Sequence, residues 1–346
     1  MTPETKKEEI KTILISIYRR VGISTAKKIL GNMGLDTSLG WDSLVEELLE
    51  DTTKHDHLHK SLLTVLKSLL MFGSRLFECY EFDHEKVDNL KALLDESKPE
   101  GFLVNSIVDI DKKQLTDEFS LFAKEESDNC LTYYFLHYAE CTEQVILEQS
   151  AIKESYYDEG FDKIIAKTKG KKVFVNTVRI EKHLNKIYVM IDRADEIGLS
   201  DLRRVKGDFT NHINSIYELN YGELFFNHKI NLFDKVELLY DDVDLGVVSE
   251  LKFLCPSGTS RHEKLSQRGE LNDLREEVYH KAGMEKIDYI IDPFYIAMDF
   301  EFGNLSLLGR KYMINNLKNR PLTEGVLRKA YSDDKYTNLL KVLNDA

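Results

Sequence analysis

Lys171–Asp192, KKVFVNTVRIEKHLNKIYVMID, decides the fold. Val173-Phe174-Val175 and Ile187-Tyr188-Val189-Met190-Ile191 are runs of β-branched and aromatic residues, side chains that suit a pleated, half-buried surface. Between them lies EKHLN, ending in Asn185, a residue type that tolerates turn conformations. The arrangement predicts a β-hairpin, and a hairpin requires antiparallel strands.

Working outward, similar composition recurs in CLTYYFLHYAEC at 130–141, GELFFNHKINLF at 222–233 and KVELLYDD at 235–242. It recurs again in VVSELKFLC at 247–255 and DYIIDPFYIAMDFEF at 288–302, and each of these is an expected strand. Helices are expected at about 200–218, 266–282, 304–319 and 322–345. The spacing is too irregular for a repeated βαβ unit, so a mixed, mainly antiparallel sheet with helices on one face is expected.

Upstream the period changes to that of a helix. Ile10, Ile13, Leu14, Ile17 and Val21 recur at helical spacing, and Gly22 ends the run. Ala26, Ile29 and Leu30 mark a second helix closed by Gly34, and Leu44, Val45, Leu48 and Leu49 a third. A fourth is expected from about His59 to Phe77. Residues 1–82 are thus expected to be an all-helical unit and 83–346 an α+β unit, with a helix at 86–96, a strand at 102–110 and a loop at 124–129.

At 346 residues two domains are the default. The net charge of −13 argues against a broad nucleic-acid footprint but leaves room for a local basic face. Cys79, Cys130, Cys141 and Cys255 form no CxxC pair, as expected of free thiols in a reducing compartment. The first ten residues are charged, without a secretory pattern, and the apolar run SLLTVLKSLLMF is interrupted by Lys67. A cytoplasmic chain without a membrane partner is expected.

Four stretches carry chemistry. Glu250-Leu251-Lys252 puts a carboxylate and an ammonium on one face of a strand, with Asp241, Asp242 and Asp244 upstream. In nucleases of the restriction-endonuclease-like type, such an E-x-K strand and a second acidic residue hold Mg²⁺ and orient the attacking water. Here Asp244 and Glu250 would bind the metal and Lys252 would complete the catalytic set, against the plainer reading of a solvated strand face. Arg203, Arg204 and Lys206 could grip a phosphate or carboxylate, or simply line a solvated helix face. Arg261 and His262 follow the Ser/Thr/Gly turn at 256–260, beside the E-x-K strand, and extend this ligand-binding set. His55 and His59 stand four apart, as zinc ligands on a helix do, but without a recognisable third ligand. No G-x-x-x-x-G-K-[ST] or G-x-G-x-x-G is present.

GISTAKKILGNMGLDTSLGWDSLVEELLE, residues 22–50, resembles both a helix-turn-helix unit and the death-fold-like or effector-associated adaptor domains that head bacterial conflict proteins. The resemblance covers about residues 20–80. The Ala26-to-Gly31 step is one residue longer than a helix-turn-helix uses, and the acidic residues Asp42, Glu46, Glu47 and Glu50 would repel phosphate. The adaptor likeness implies a protein partner docked through residues 1–82 of a bacterial defence or stress protein, whose α+β unit binds a ligand or nucleic acid. Two alternatives stand beside it: an Mg²⁺-dependent nuclease using Glu250 and Lys252, and a DNA-binding regulator presenting Arg19, Arg20, Lys27 and Lys28.

Overall fold

The computed structural model describes residues 3–98, 118–146, 165–193, 197–266, 273–287, 291–314 and 321–345. The strands are β1 (Arg75–Glu81), β2 (Ser120–Glu126), β3 (Cys130–Ile146), β4 (Ile165–Glu181), β5 (Lys186–Asp192), β6 (Val247–Leu254), β7 (Ser260–Lys264), β8 (Asp292–Phe300), β9 (Gly303–Leu307) and β10 (Glu324–Arg328). They form one sheet in the order β2-β3-β4-β5-β1-β10-β9-β8-β6-β7, and every pairing is antiparallel. The chain is therefore α+β, an N-terminal helical region followed by an antiparallel sheet with further helices. The hairpin expected at Asn185 joins β4 to β5, with Thr177 opposite Met190 and Glu181 opposite Lys186; Asn185 takes a positive φ of 51°.

The helices are α1 (Pro3–Asn32), α2 (Trp41–Glu50), α3 (His55–Phe72), α4 (His84–Asp95), α5 (Leu199–Tyr221), α6 (Phe233–Asp241), α7 (Val278–Lys286), α8 (Lys311–Ile314) and α9 (Asp333–Asp345). Gly22, at φ 74° and ψ 164°, breaks α1 where a helix end was expected. One sheet face buries Leu76, Tyr133, Phe135, Val178 and Val189 beneath α4 and α5. The opposite face is covered twice. At the β2–β4 end, α1 and α3 bury Leu14, Leu62 and Leu66 with Ala123, Tyr134, Leu136 and Val175 of the strands. At the other end, α6 and α9 close over Val248, Leu251, Ile296 and Met298. Helices thus lie on both faces, where one was expected.

Residues 1–82 are not all helical. The fourth helix stops at Phe72, and β1 runs through the middle of the sheet between β5 and β10. A Cβ on Gly73 would lie 2.3 Å from the Leu69 carbonyl oxygen, so only glycine fits this exit. Arg75 to Tyr80 are all buried; a strand covered on both faces loses its alternation and reads like a buried helix. The 235–242 segment is helical instead of extended, because Val236 and Leu239 bury one face at a spacing of three. The 222–233 segment contributes only an isolated bridge between Tyr80 and Lys229, so that expected strand is absent as such. The helices expected over 304–319 and 322–345 give way in part to β9 and β10, where Leu305 and Leu307 alternate inward with Asn304 and Ser306. Lys124–Glu126 belong to β2 rather than to a loop. The strand expected at 102–110 lies outside the described residues.

The helical layer is tied to the sheet by charge as well as apolar contact. Asp192, on β5, receives Arg20 of α1 at 2.8 and 2.9 Å and Arg75 of β1 at 3.3 Å. Arg75 also donates to the Val175 carbonyl at 2.6 Å and to the Leu70 carbonyl. This network is buried, so the bonds it makes replace those of solvent, and only the Arg75 Nε within it has no partner among the described residues.

Candidate functional site

Irregular pairing with β8 at Val248/Glu250 lets both Val248 and Leu251 point into the core and leaves Glu250 and Lys252 on the other face. Glu250 meets His262 Nε2 at 2.9 Å, Lys264 Nζ at 3.1 Å and Lys252 Nζ at 3.7 Å. Burial would raise its pKa, but the hydrogen bonds from Lys264 and His262 and the charges of Lys264 and Lys252 hold it below the ordinary carboxylate value. A metal site requires a second carboxylate at this point. Asp244 instead sits in the turn before β6, its backbone N–H bonded to the Asp242 carboxylate at 3.1 Å. Among the described residues no group of three or more His, Cys, Asp or Glu could hold a metal. The expected Asp244–Glu250–Lys252 constellation is thus not assembled; Glu250 and Lys252 are adjacent, but within a cationic setting.

The basic run of α5 is divided. Lys206 points inward, bonding Glu78 of β1 at 2.9 Å and Glu324 of β10 at 2.7 Å. Arg203 bonds Glu324 at 2.7 Å. Glu78 and Glu324 are direct partners across the β1–β10 ladder, so Lys206 bridges two carboxylates that would otherwise repel. Lys229 at 3.1 Å, Thr323 at 2.8 Å and Tyr80 at 2.5 Å complete the coordination of Glu78. Burial alone would raise the pKa of both carboxylates, yet the Lys206 charge and these partners hold both below the usual value. Arg204 turns away to the Glu140 carbonyl at 2.6 Å. Arg203 and Lys206 therefore fasten α5 to the sheet, and the three residues do not form one anion grip.

Arg261 and His262 fall on opposite faces of β7, as neighbours in a strand must. His262 pairs with Lys252 across the ladder and Arg261 with Phe253. His55 and His59 are not brought together as a ligand pair: His59 Nε2 lies 2.7 Å from Glu9, and the His55 ring is buried.

What the arrangement does create is a surface that sequence reasoning missed. On the half-sheet β7-β6-β8-β9-β10, α6 and α9 pack on the Leu251 side. On the other side α5 covers β10, packing on Val326 and bonding Glu324, and no described residue of β9, β8, β6 or β7 belongs to that core. That face presents His262 and Lys264 of β7, Glu250 and Lys252 of β6, Tyr295 and Asp299 of β8, Ser306 of β9 and Arg328 of β10. The Lys252 ammonium stands 4.3 Å from the Tyr295 ring centroid, a cation–π contact. Tyr295 has its pKa raised by burial and by Glu250, with Arg328, Ser306 and Arg193 acting against this. These influences come from β6, β9, β10 and the residue just after β5, which places Tyr295 near the middle of a cationic strip. The signal for Tyr295 was its alternation with Ala297 in an expected strand; nothing local marked Ser306 or Arg328.

No helix among the described residues is long and apolar enough to cross a membrane. Comparison with protein-family models, curated proteins and solved structures finds no match for this chain.

Proposed function

We propose that the chain is a binding protein whose uncovered half-sheet takes single-stranded nucleic acid. The observation that carries this is the convergence of Lys252, Lys264, His262 and Arg328 around Tyr295 on a sheet face that α5 covers only at β10. The four strands clear of α5, at the usual spacing of about 4.8 Å, give a platform about 14 Å wide. Flat aromatic-bearing sheets suit unstacked bases, whose faces rest on rings while cations follow the backbone. Glu250 and Asp299 on the same face keep the attraction local, in keeping with an overall charge of −13. Among the described residues no second carboxylate joins Glu250 in a metal-holding group, which favours binding over metal-dependent cleavage.

Fluorescence anisotropy with labelled single-stranded and duplex oligonucleotides tests this. Three phosphate contacts, from Lys252, Lys264 and Arg328, predict a slope of log affinity against log salt of about −2 for single strands. Reversing all three charges to Glu should weaken binding by more than about a hundredfold at low salt. Equal binding by the triple variant, or no binding by the native chain, would exclude this surface.

Docking of a protein partner by the N-terminal helices is a second reading, and a groove of about 360 Å³ favours it. Leu44, Leu48 and Leu58 line the groove and Asp36, Glu47 and Asp51 rim it, which suits a basic amphipathic helix. Leu48→Glu should block binding of such a peptide without disturbing nucleic-acid binding.

A further inference from the structure

A second cavity, of about 370 Å³, lies between α7 and the β6–β7 hairpin, on the sheet side opposite the cationic strip. Phe253, Met284 and Ile287 supply apolar wall. A hydrogen-bonded chain fixes its shape. His280, 4% exposed, has Nδ1 2.5 Å from Glu263 and Nε2 2.8 Å from the Tyr240 hydroxyl. Burial pushes the Tyr240 phenol up to about 12, so Tyr240 stays a neutral hydroxyl against Nε2, while Nδ1 faces the Glu263 carboxylate. The ring is held edge-on between Tyr240 and Phe253, each 6.0 Å away. α6, α7 and β7 are thereby locked together around the cavity.

The same lock has an electrostatic result. Glu263 is the carboxylate lining the cavity, and the imidazole engages it. Arg261 and Lys286 line the cavity too, and neither makes an ion pair among the described residues. Two uncommitted cations at the mouth of an apolar recess complement a molecule with an anionic head and an apolar body. Neither an apolar ligand alone nor a cation would satisfy both features.

We propose that this cavity binds a small organic anion, its carboxylate or phosphate held by Arg261 and Lys286 and its body lying on Phe253, Met284 and Ile287. The site is independent of the nucleic-acid surface. Cys255, a free thiol on the cavity wall, provides a local reporter, and buried Cys79 reports any general unfolding.

The experiment follows iodoacetamide alkylation of each cysteine in the full chain by peptide mass spectrometry, with phenylacetate, phenyl phosphate or neutral 2-phenylethanol as probes. At ten times its dissociation constant, an anionic probe should slow Cys255 alkylation by about tenfold and leave Cys79 unchanged. Protection by either anion supports the proposal, and the stronger of the two identifies the head group. The Arg261→Gln/Lys286→Gln variant should lose the protection while its Cys79 stays shielded. Absence of protection by both anions at millimolar concentration would overturn the proposal. So would equal protection by 2-phenylethanol, or protection that survives in the double variant.

Discussion

Replacing Lys206 with alanine is expected to lower the free energy of unfolding by about 3 kcal/mol, the cost of removing one partner from a buried ion pair. Lys206 is nearly enclosed, and the two carboxylates it bridges belong to adjacent central strands. Its loss would leave Glu78 and Glu324 facing each other across the ladder. Urea denaturation of the single variant and of Lys206→Met/Glu78→Gln/Glu324→Gln would measure the effect, and the triple variant should recover most of the loss because the buried lysine and both carboxylates lose their charge together, leaving only the more exposed Arg203 and Lys229 without their carboxylates. A loss below about 1 kcal/mol would show that solvent reaches the cluster. The same pair sets an acid limit. Both folded-state carboxylates titrate below the ordinary 4.5, so their contribution is fully present above that pH and drains away as pH falls through the depressed values. The urea midpoint should therefore fall below about pH 4.5, and the fall should be shallower in Glu78→Gln/Glu324→Gln.

Deleting residues 1–72 is expected to abolish soluble folding of the remainder. Had the N-terminal helices been a separate module, the rest would survive their removal. They instead share a core with Ala123, Tyr134, Leu136 and Val175, and the deletion would uncover this sheet face. It would also remove Arg20 from Asp192 and the Leu70 carbonyl from Arg75, stranding polar groups in a formerly buried region. Expression of a chain starting at Gly73, followed by sedimentation and dye binding to exposed apolar surface, measures this. A soluble, cooperatively unfolding fragment would show that the covered face tolerates water.

The hairpin at Asn185 was legible because both its strands carry dense β-type residues and its turn is short. Helices α4 and α5 were legible because Val87, Leu90 and Leu94, and Leu202, Val205 and Phe209, keep a helical period. β1 was not, because burial on both faces removes alternation. β9 and β10 were not, because each has only five residues and β10 joins the sheet by pairing with β1, far away in the chain. For the site, Glu250 and Lys252 were rightly placed on one face, since two residues apart is all that requires. Their partners could not be read: His262 and Lys264 arrive through the β7 register, and Tyr295 and Arg328 from strands far along the chain. Asp244 failed as a ligand because proximity in sequence does not carry a turn residue into a strand-face site. Arg203 and Lys206 failed as a phosphate grip because Glu78 and Glu324, each more than a hundred residues away, already hold them.

The most direct measurement of nucleic-acid binding by the uncovered half-sheet is photo-cross-linking of a single-stranded oligoribonucleotide bearing 4-thiouridine, with the attachment sites mapped by mass spectrometry. Cross-links should concentrate on the β8 segment containing Tyr295 and on neighbouring β6 and β7, and should disappear when Lys252, Lys264 and Arg328 are all reversed in charge. Cross-links confined to the N-terminal helices or α5, or undiminished in that variant, would contradict the account.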